Sequence, residues 1–238
     1  MAKLVAGNFK MNKTKKEAED YCAELLTLLG KGYNNFLICP PYTLIECVKR
    51  SLNGRGAVGA QNVALAESGA YTGEISAKML KDVGADSCLI GHSERRHIYG
   101  ETNDDIAKKL NLVQKEGLKT ILCVGETLEE HRRLKSVLES QLSVLNDKDL
   151  TNIIVAYEPV WAIGTGKVAT SDDIIKAHTI IKKYVKNKFN SEISILYGGS
   201  VKPENISEIL ALGVVDGVLV GGASLDAKKM AQMIKSAK

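Results

Sequence analysis

The sequence predicts an α/β protein folded as one (β/α)8 barrel across residues 1–238. Three observations lead there. Short apolar runs recur eight times, each followed by a longer stretch of helical period. The runs are almost continuously apolar instead of alternating, as parallel strands covered on both faces require. No Pro/Gly/Ser-rich linker divides the 238 residues, a length that suits a single barrel of about 250. A doubly wound open sheet carries the same alternation and stays open as the second arrangement.

The apolar runs lie at residues 4–6, 36–39, 57–60, 88–90, 120–124, 153–157, 193–197 and 217–220. Helix signals fill the intervals. Thr14-Lys15-Lys16-Glu17 is a capping box, in which hydroxyl and carboxylate each take one of the first unpaired amides. Ala18, Tyr21, Cys22, Leu25, Leu26 and Leu29 then recur at helical spacing, and Gly30 is a stop. Residues 104–116 repeat the pattern through Ile106, Ala107, Leu110 and Val113, with Gly117 behind them. Thr170 and Ser171 open a helix that runs to about Phe189. Pro203 suits the first turn of a short helix, where its missing N–H costs nothing.

Composition excludes several classes. Hydrophobic residues make up 45% and charged residues 25%, ordinary for a globular chain. The net charge of +4 is too small to argue for nucleic acid, and the lysine pairs read as solvated helix faces. That small excess favours an anionic substrate only by weak steering. The five cysteines are odd in number and form no C-x-x-C, so neither a disulfide framework nor a zinc site is indicated. Reduced thiols fit the cytosol. No leader-like apolar region opens the chain, and no run approaches the ~20 apolar residues of a membrane helix. The expectation is a cytoplasmic protein away from membranes.

Polar residues gather where the apolar runs end, and barrel sites form at the C-terminal ends of strands. The first run ends in Asn8 and Lys10, the fourth in His92 followed by Ser-Glu-Arg-Arg, and the sixth in Glu158. Pro159 holds Glu158 extended, so backbone geometry sets its position. A helix starting after His92 disfavours imidazolium and leaves a ring able to donate to a carbonyl oxygen. Gly198-Gly199-Ser200 and Gly221-Gly222 let backbone amides approach an anion. Taken singly, each has a plainer reading: a solvated carboxylate, a satisfied histidine, a snorkelling lysine, a pair of tight turns. Gly164-Thr165-Gly166-Lys167-Val168-Ala169 fits a dinucleotide pattern on paper, but residues 158–163 separate it from its strand. Val168, where a P-loop needs Ser or Thr after Gly166-Lys167, also excludes that motif. Residues 159–167 instead read as a lid with glycine hinges, near whose start stands Trp161.

At these residues the chain resembles the triosephosphate isomerases. The resemblance is carried by Asn8-Phe9-Lys10-Met11-Asn12, Gly59-Ala60-Gln61-Asn62-Val63 and Gly91-His92-Ser93-Glu94-Arg95-Arg96. Cys123-Val124-Gly125-Glu126, the run from Ala156 to Lys167, Tyr197-Gly198-Gly199-Ser200 and residues 217–222 complete it, in family order along the whole chain. It implies interconversion of dihydroxyacetone phosphate and D-glyceraldehyde 3-phosphate without metal or organic cofactor. Glu158 would be the base, His92 the neutral electrophile and Lys10 the charge that offsets the enediolate. Asn8 would orient substrate and Glu94 would support Lys10. Gly164, Ser200, Gly221 and Gly222 would hold the phosphate, with Leu219 in the substrate pocket. The loop at 61–76, with Thr72 at its tip, would enter a second subunit near Met11 to form a homodimer. Phe9 stands where many members carry tryptophan, Ala77 where proline is frequent, and the stretch between Glu126 and Glu158 is short. A barrel acting on a larger sugar phosphate and an inactive binding protein are the competing functions; the second predicts loss of a catalytic group, yet Lys10, His92 and Glu158 are all present.

Overall fold

The protein is described by a computed structural model covering residues 3–163 and 168–237. Eight strands, β1 (Leu4–Asn8), β2 (Phe36–Cys39), β3 (Ala57–Ala60), β4 (Ser87–Ile90), β5 (Lys119–Val124), β6 (Ile153–Tyr157), β7 (Ser194–Tyr197) and β8 (Gly217–Val220), pair in parallel in chain order. β1 also pairs with β8, in the register Ala6↔Leu219, so the sheet closes. That closure excludes the open doubly wound sheet.

Strand alternation divides the core in two. Ala6, Leu37, Cys39, Leu89, Ile121, Cys123, Ala156, Leu196 and Leu219 fill the barrel interior. Their neighbours, among them Val5, Ile38, Val58, Ile90, Leu122, Val155 and Val218, face outward against the helices. Both faces are thus buried, which explains the continuous apolar runs. All five cysteines are free and buried.

The helices are α1 (Lys15–Leu29), α2 (Ile45–Leu52), α3 (Ala77–Asp82), α4 (Ser93–His97), α5 (Asn103–Lys115), α6 (Leu134–Leu142), α7 (Ser171–Phe189), α8 (Ile206–Ala211) and α9 (Ala227–Ser236). In α1 the Glu17 carboxylate accepts the Thr14 N–H at 2.7 Å and the Thr14 hydroxyl at 2.8 Å. Thr170 and Asp173 repeat the box at α7. Thr102 and Asp105 do so at α5, a cap the spacing argument passed over because Asp stands in place of Glu. Pro203 lies outside α8. Residues 203–205 form a turn, in which the Lys202 N–H donates to Asn205 Oδ1 at 2.8 Å, and the helix begins only at Ile206. Phe9, in the tryptophan's place, is fully buried and packs edge-on against Tyr21 at 4.9 Å. Ala77 opens α3 behind Ser76, whose hydroxyl accepts the Met79 N–H at 3.3 Å. No helix among the described residues is long and apolar enough to cross a membrane.

The rim opposite the C-terminal strand ends carries a repeated joint. Asp86, just before β4, donates its N–H to Val58 O at 2.7 Å, accepts the Val58 N–H on its carboxylate at 2.8 Å and pairs with Lys49 of α2 at 2.7 Å. Asp216, just before β8, does the same with Ile195 (2.9 Å) and Lys182 of α7 (3.2 Å).

Candidate active site

The alternation that turns Ala6 and Ala156 inward also turns Asn8 and Glu158 toward the barrel axis, one step beyond the apolar layer. The Glu158 N–H continues the ladder to Val124 O at 2.7 Å. A cavity of about 230 Å³ opens at this mouth, lined by Asn8, Lys10, His92 and Glu158 together with Ser200, Leu219, Gly221 and Gly222. Glu94 borders an adjoining hollow of about 220 Å³ that shares Asn8, Lys10 and His92. Residues far apart in the chain therefore meet at one rim. Gly164, assigned to the phosphate by resemblance, lies outside the described residues.

Glu158 is 2% exposed. Its Oε2 accepts the Ser93 N–H at 2.8 Å, and its Oε1 lies 3.2 Å from His92 Nε2. His92 caps α4, and its Nδ1 accepts the Glu94 N–H at 3.2 Å, nearer than the Glu94 carboxylate at 3.7 Å. An acceptor nitrogen carries no proton, so the ring hydrogen sits on Nε2, the atom facing the cavity and Glu158. Beneath them lies Cys123, whose thiol is held well above its usual range, first by burial and then by the Glu158 carboxylate.

Lys10 occupies the left-handed region at φ 50°, an uncommon conformation for a residue with a side chain. Asn8 Oδ1 accepts its N–H at 2.9 Å, and Gln61 Nε2 donates to its carbonyl at 2.9 Å. These bonds stabilise the turn and direct the ammonium to Glu94 Oε1, 2.5 Å away. Gln61 carries no pattern of its own; it matters because it also donates to Cys39 O at 2.9 Å, tying β2 to the first loop.

Arg96 is another residue that spacing left without a role. Its guanidinium donates to Gly91 O (2.8 Å), Asn103 Oδ1 (2.8 Å) and Cys123 O (3.0 Å), bracing the strand before His92 against the strand beside Glu158. Burial lowers its pKa. On the lid side, the fully buried Glu126 accepts from Tyr157 OH (3.1 Å) and Trp161 Nε1 (2.9 Å), with His131 Nδ1 3.0 Å away. Its carbonyl takes the Val160 N–H at 3.0 Å, fixing the 3-10 helix Val160–Ala162; residues 164–167 of the segment read as a lid lie outside the described residues.

Close approach confines Gly198, where a Cβ would lie 2.9 Å from Glu158 Cγ, while one on Gly221 would lie 3.3 Å from Lys10 Cε.

A buried carboxylate, a histidine presenting Nε2–H, a lysine and an amide-rich end around a small cavity define an acid–base enzyme built on a (β/α)8 barrel. The family model described as "Triosephosphate isomerase" matches residues 3–237. A triosephosphate isomerase of Lawsonia intracellularis is 47% identical over 97% of this chain and 96% of its own length. That of Chlorobium phaeobacteroides is 42% identical over 99% and 98%. A crystal structure of triosephosphate isomerase from Bartonella henselae superposes with a TM-score of 0.89 at 38% identity, covering 99% of each chain. The chain belongs to the triosephosphate isomerase family.

Proposed function

We propose that the chain interconverts dihydroxyacetone phosphate and D-glyceraldehyde 3-phosphate by moving one proton between adjacent carbons. The observation that carries this reading is the pair formed by Glu158 and His92 Nε2, 3.2 Å apart at one small cavity that also holds Lys10. The substrate's C–H is weakly acidic because the adjacent carbonyl delocalises the charge left behind. Glu158 takes that proton. His92 Nε2–H donates to the carbonyl oxygen as it becomes an enediolate oxygen, and Lys10 offsets its charge. The protonated Glu158 then returns the proton to the neighbouring carbon, while the hydroxyl proton passes from one enediolate oxygen to the other beside His92 Nε2, so that carbonyl and hydroxyl exchange places. A positioned base contributes roughly 10²–10⁴-fold, and fixed donors at the developing oxyanion contribute about 10²–10³-fold each. The Glu158 carboxylate exchanges its bonds to Ser93 and His92 for the substrate when it enters.

The phosphate belongs on the amides of Ser200, Gly221 and Gly222, with Gly164 assigned to it by the family resemblance and Leu219 against the carbon chain. Asn8 orients the substrate and Glu94 holds Lys10. Closure of residues 159–167 keeps water from the enediolate, which otherwise loses phosphate. The chain works as one barrel domain in the cytoplasm.

A homodimer fits the surface. Met11 (95% exposed), Tyr71, Ile98 and Tyr99 are exposed apolar side chains, and Met11 and Tyr99 border one hollow at the barrel mouth. The 61–76 loop is pinned at its base by Ala64 N–H to Ile75 O (2.9 Å), leaving Thr72 exposed at its tip. Sedimentation that finds a fully active monomer at micromolar concentration removes the dimer.

The deciding experiment is a coupled triose phosphate assay beside Glu158→Gln. We expect kcat to fall by at least about 10²-fold with the circular dichroism spectrum unchanged. Near-normal turnover would reject Glu158 as the base.

A further inference from the structure

We infer that Lys202 is a further substrate-recognising cation of this active site, drawing the phosphate dianion toward the amide end of the cavity. Lys202 lines the cavity beside Ser200, Gly221 and Gly222. Lys10 pairs with Glu94 at 2.5 Å and shares the cavity with the Glu158 carboxylate, so this one lysine does not balance a dianion there. A phosphate monoester carries a charge of about −1.5 to −2 near neutral pH. Among the described residues Lys202 has no carboxylate within 4.0 Å, so its charge is uncommitted.

Its backbone is fixed where the substrate needs it. The Lys202 N–H donates to Asn205 Oδ1 at 2.8 Å, and Asn205 Nδ2 donates to Ser200 O at 3.0 Å. The Lys202 carbonyl accepts from Asn205 N (3.2 Å) and Ile206 N (3.1 Å). One locked turn therefore carries both the Ser200 amide and the lysine. The side chain is exposed, so its field acts through water and is screened by salt. Such a charge acts on encounter and binding more than on the chemical step.

This inference rests on the phosphate lying at Ser200, Gly221 and Gly222. The test measures kcat and KM for D-glyceraldehyde 3-phosphate at ~10 mM and ~300 mM ionic strength, with inorganic sulfate as competitive inhibitor, for wild type, Lys202→Gln, Lys202→Arg and Ser200→Asp. At low salt Lys202→Gln is expected to raise KM and lower kcat/KM about three- to tenfold, with kcat little changed. At high salt the gap closes to below about twofold, and Lys202→Arg restores the wild-type values. Two results overturn the assignment: kcat/KM for Lys202→Gln equal to wild type with the same salt slope, or an equal loss at both ionic strengths seated in kcat. The Ser200→Asp arm separates the two readings. If sulfate inhibits it as strongly as wild type, the phosphate end lies elsewhere. If Ser200→Asp loses sulfate binding while Lys202→Gln behaves as wild type, only the role of Lys202 is wrong.

Discussion

Acid should loosen this barrel through His178 before most carboxylates titrate. The ring lies on α7, fully buried, edge-on to Tyr157 at 5.8 Å. Its Nδ1 donates to Val214 O at 3.1 Å, and Nε2 has no partner among the described residues. Burial lowers its pKa to about 4; Val214 O and Asp216 oppose the shift, and Lys182 adds to it. Unfolded, the same ring titrates near 6.5. Between those values the unfolded chain binds the extra proton, so stability falls as pH drops through that window. Linkage gives a loss of about 2 kcal/mol at pH 5 and about 3 kcal/mol at pH 4. The assay is urea unfolding at fixed protein concentration for wild type and His178→Gln at pH 7.5, 6 and 5. The variant is less stable at pH 7.5 because it loses packing, but it cannot titrate. The gap should therefore shrink by about 2 kcal/mol on going to pH 5. A gap independent of pH would refute the argument.

Two further substitutions separate chemistry from scaffold. Gly198→Ala forces a methyl to within 2.9 Å of Glu158 Cγ and 3.2 Å of Tyr157 O; displacing the base by a fraction of an ångström should cut kcat up to about 10²-fold, with a stability loss of about 1–3 kcal/mol, read by the coupled assay and thermal melting. Asp86→Asn and Asp216→Asn weaken the joints with Lys49 and Lys182, whose side chains and carboxylates are all between 36% and 40% exposed. Each should cost about 0.5–1 kcal/mol and leave kcat unchanged.

The fold was legible because both faces of every strand are covered, which wrote eight continuous apolar runs into the chain. Closure was not written there: the Ala6↔Leu219 register joins the two ends of the sequence, and no local pattern encodes it. Asn8 and Glu158 were legible because they continue the inward stripe of their strands. Arg96 and Gln61 were not, since each acts by donating to backbone carbonyls on distant strands, and a carbonyl has no residue type. The Ser93 N–H that holds Glu158 was hidden for the same reason. Lys202 belongs to no pattern in the sequence; only the turn through Asn205 and the cavity it borders bring it into view. Pro203 misled because its fixed φ suits a turn as well as a helix start.

Trp161 is the chain's one tryptophan, with its indole N–H on Glu126 and its ring edge-on to His131 at 5.5 Å. Intrinsic fluorescence excited at the red edge of aromatic absorption consequently has a single source. Any change in that emission when an anion is added reports on the surroundings of Trp161 alone, and stopped-flow mixing can time it in the unlabelled protein.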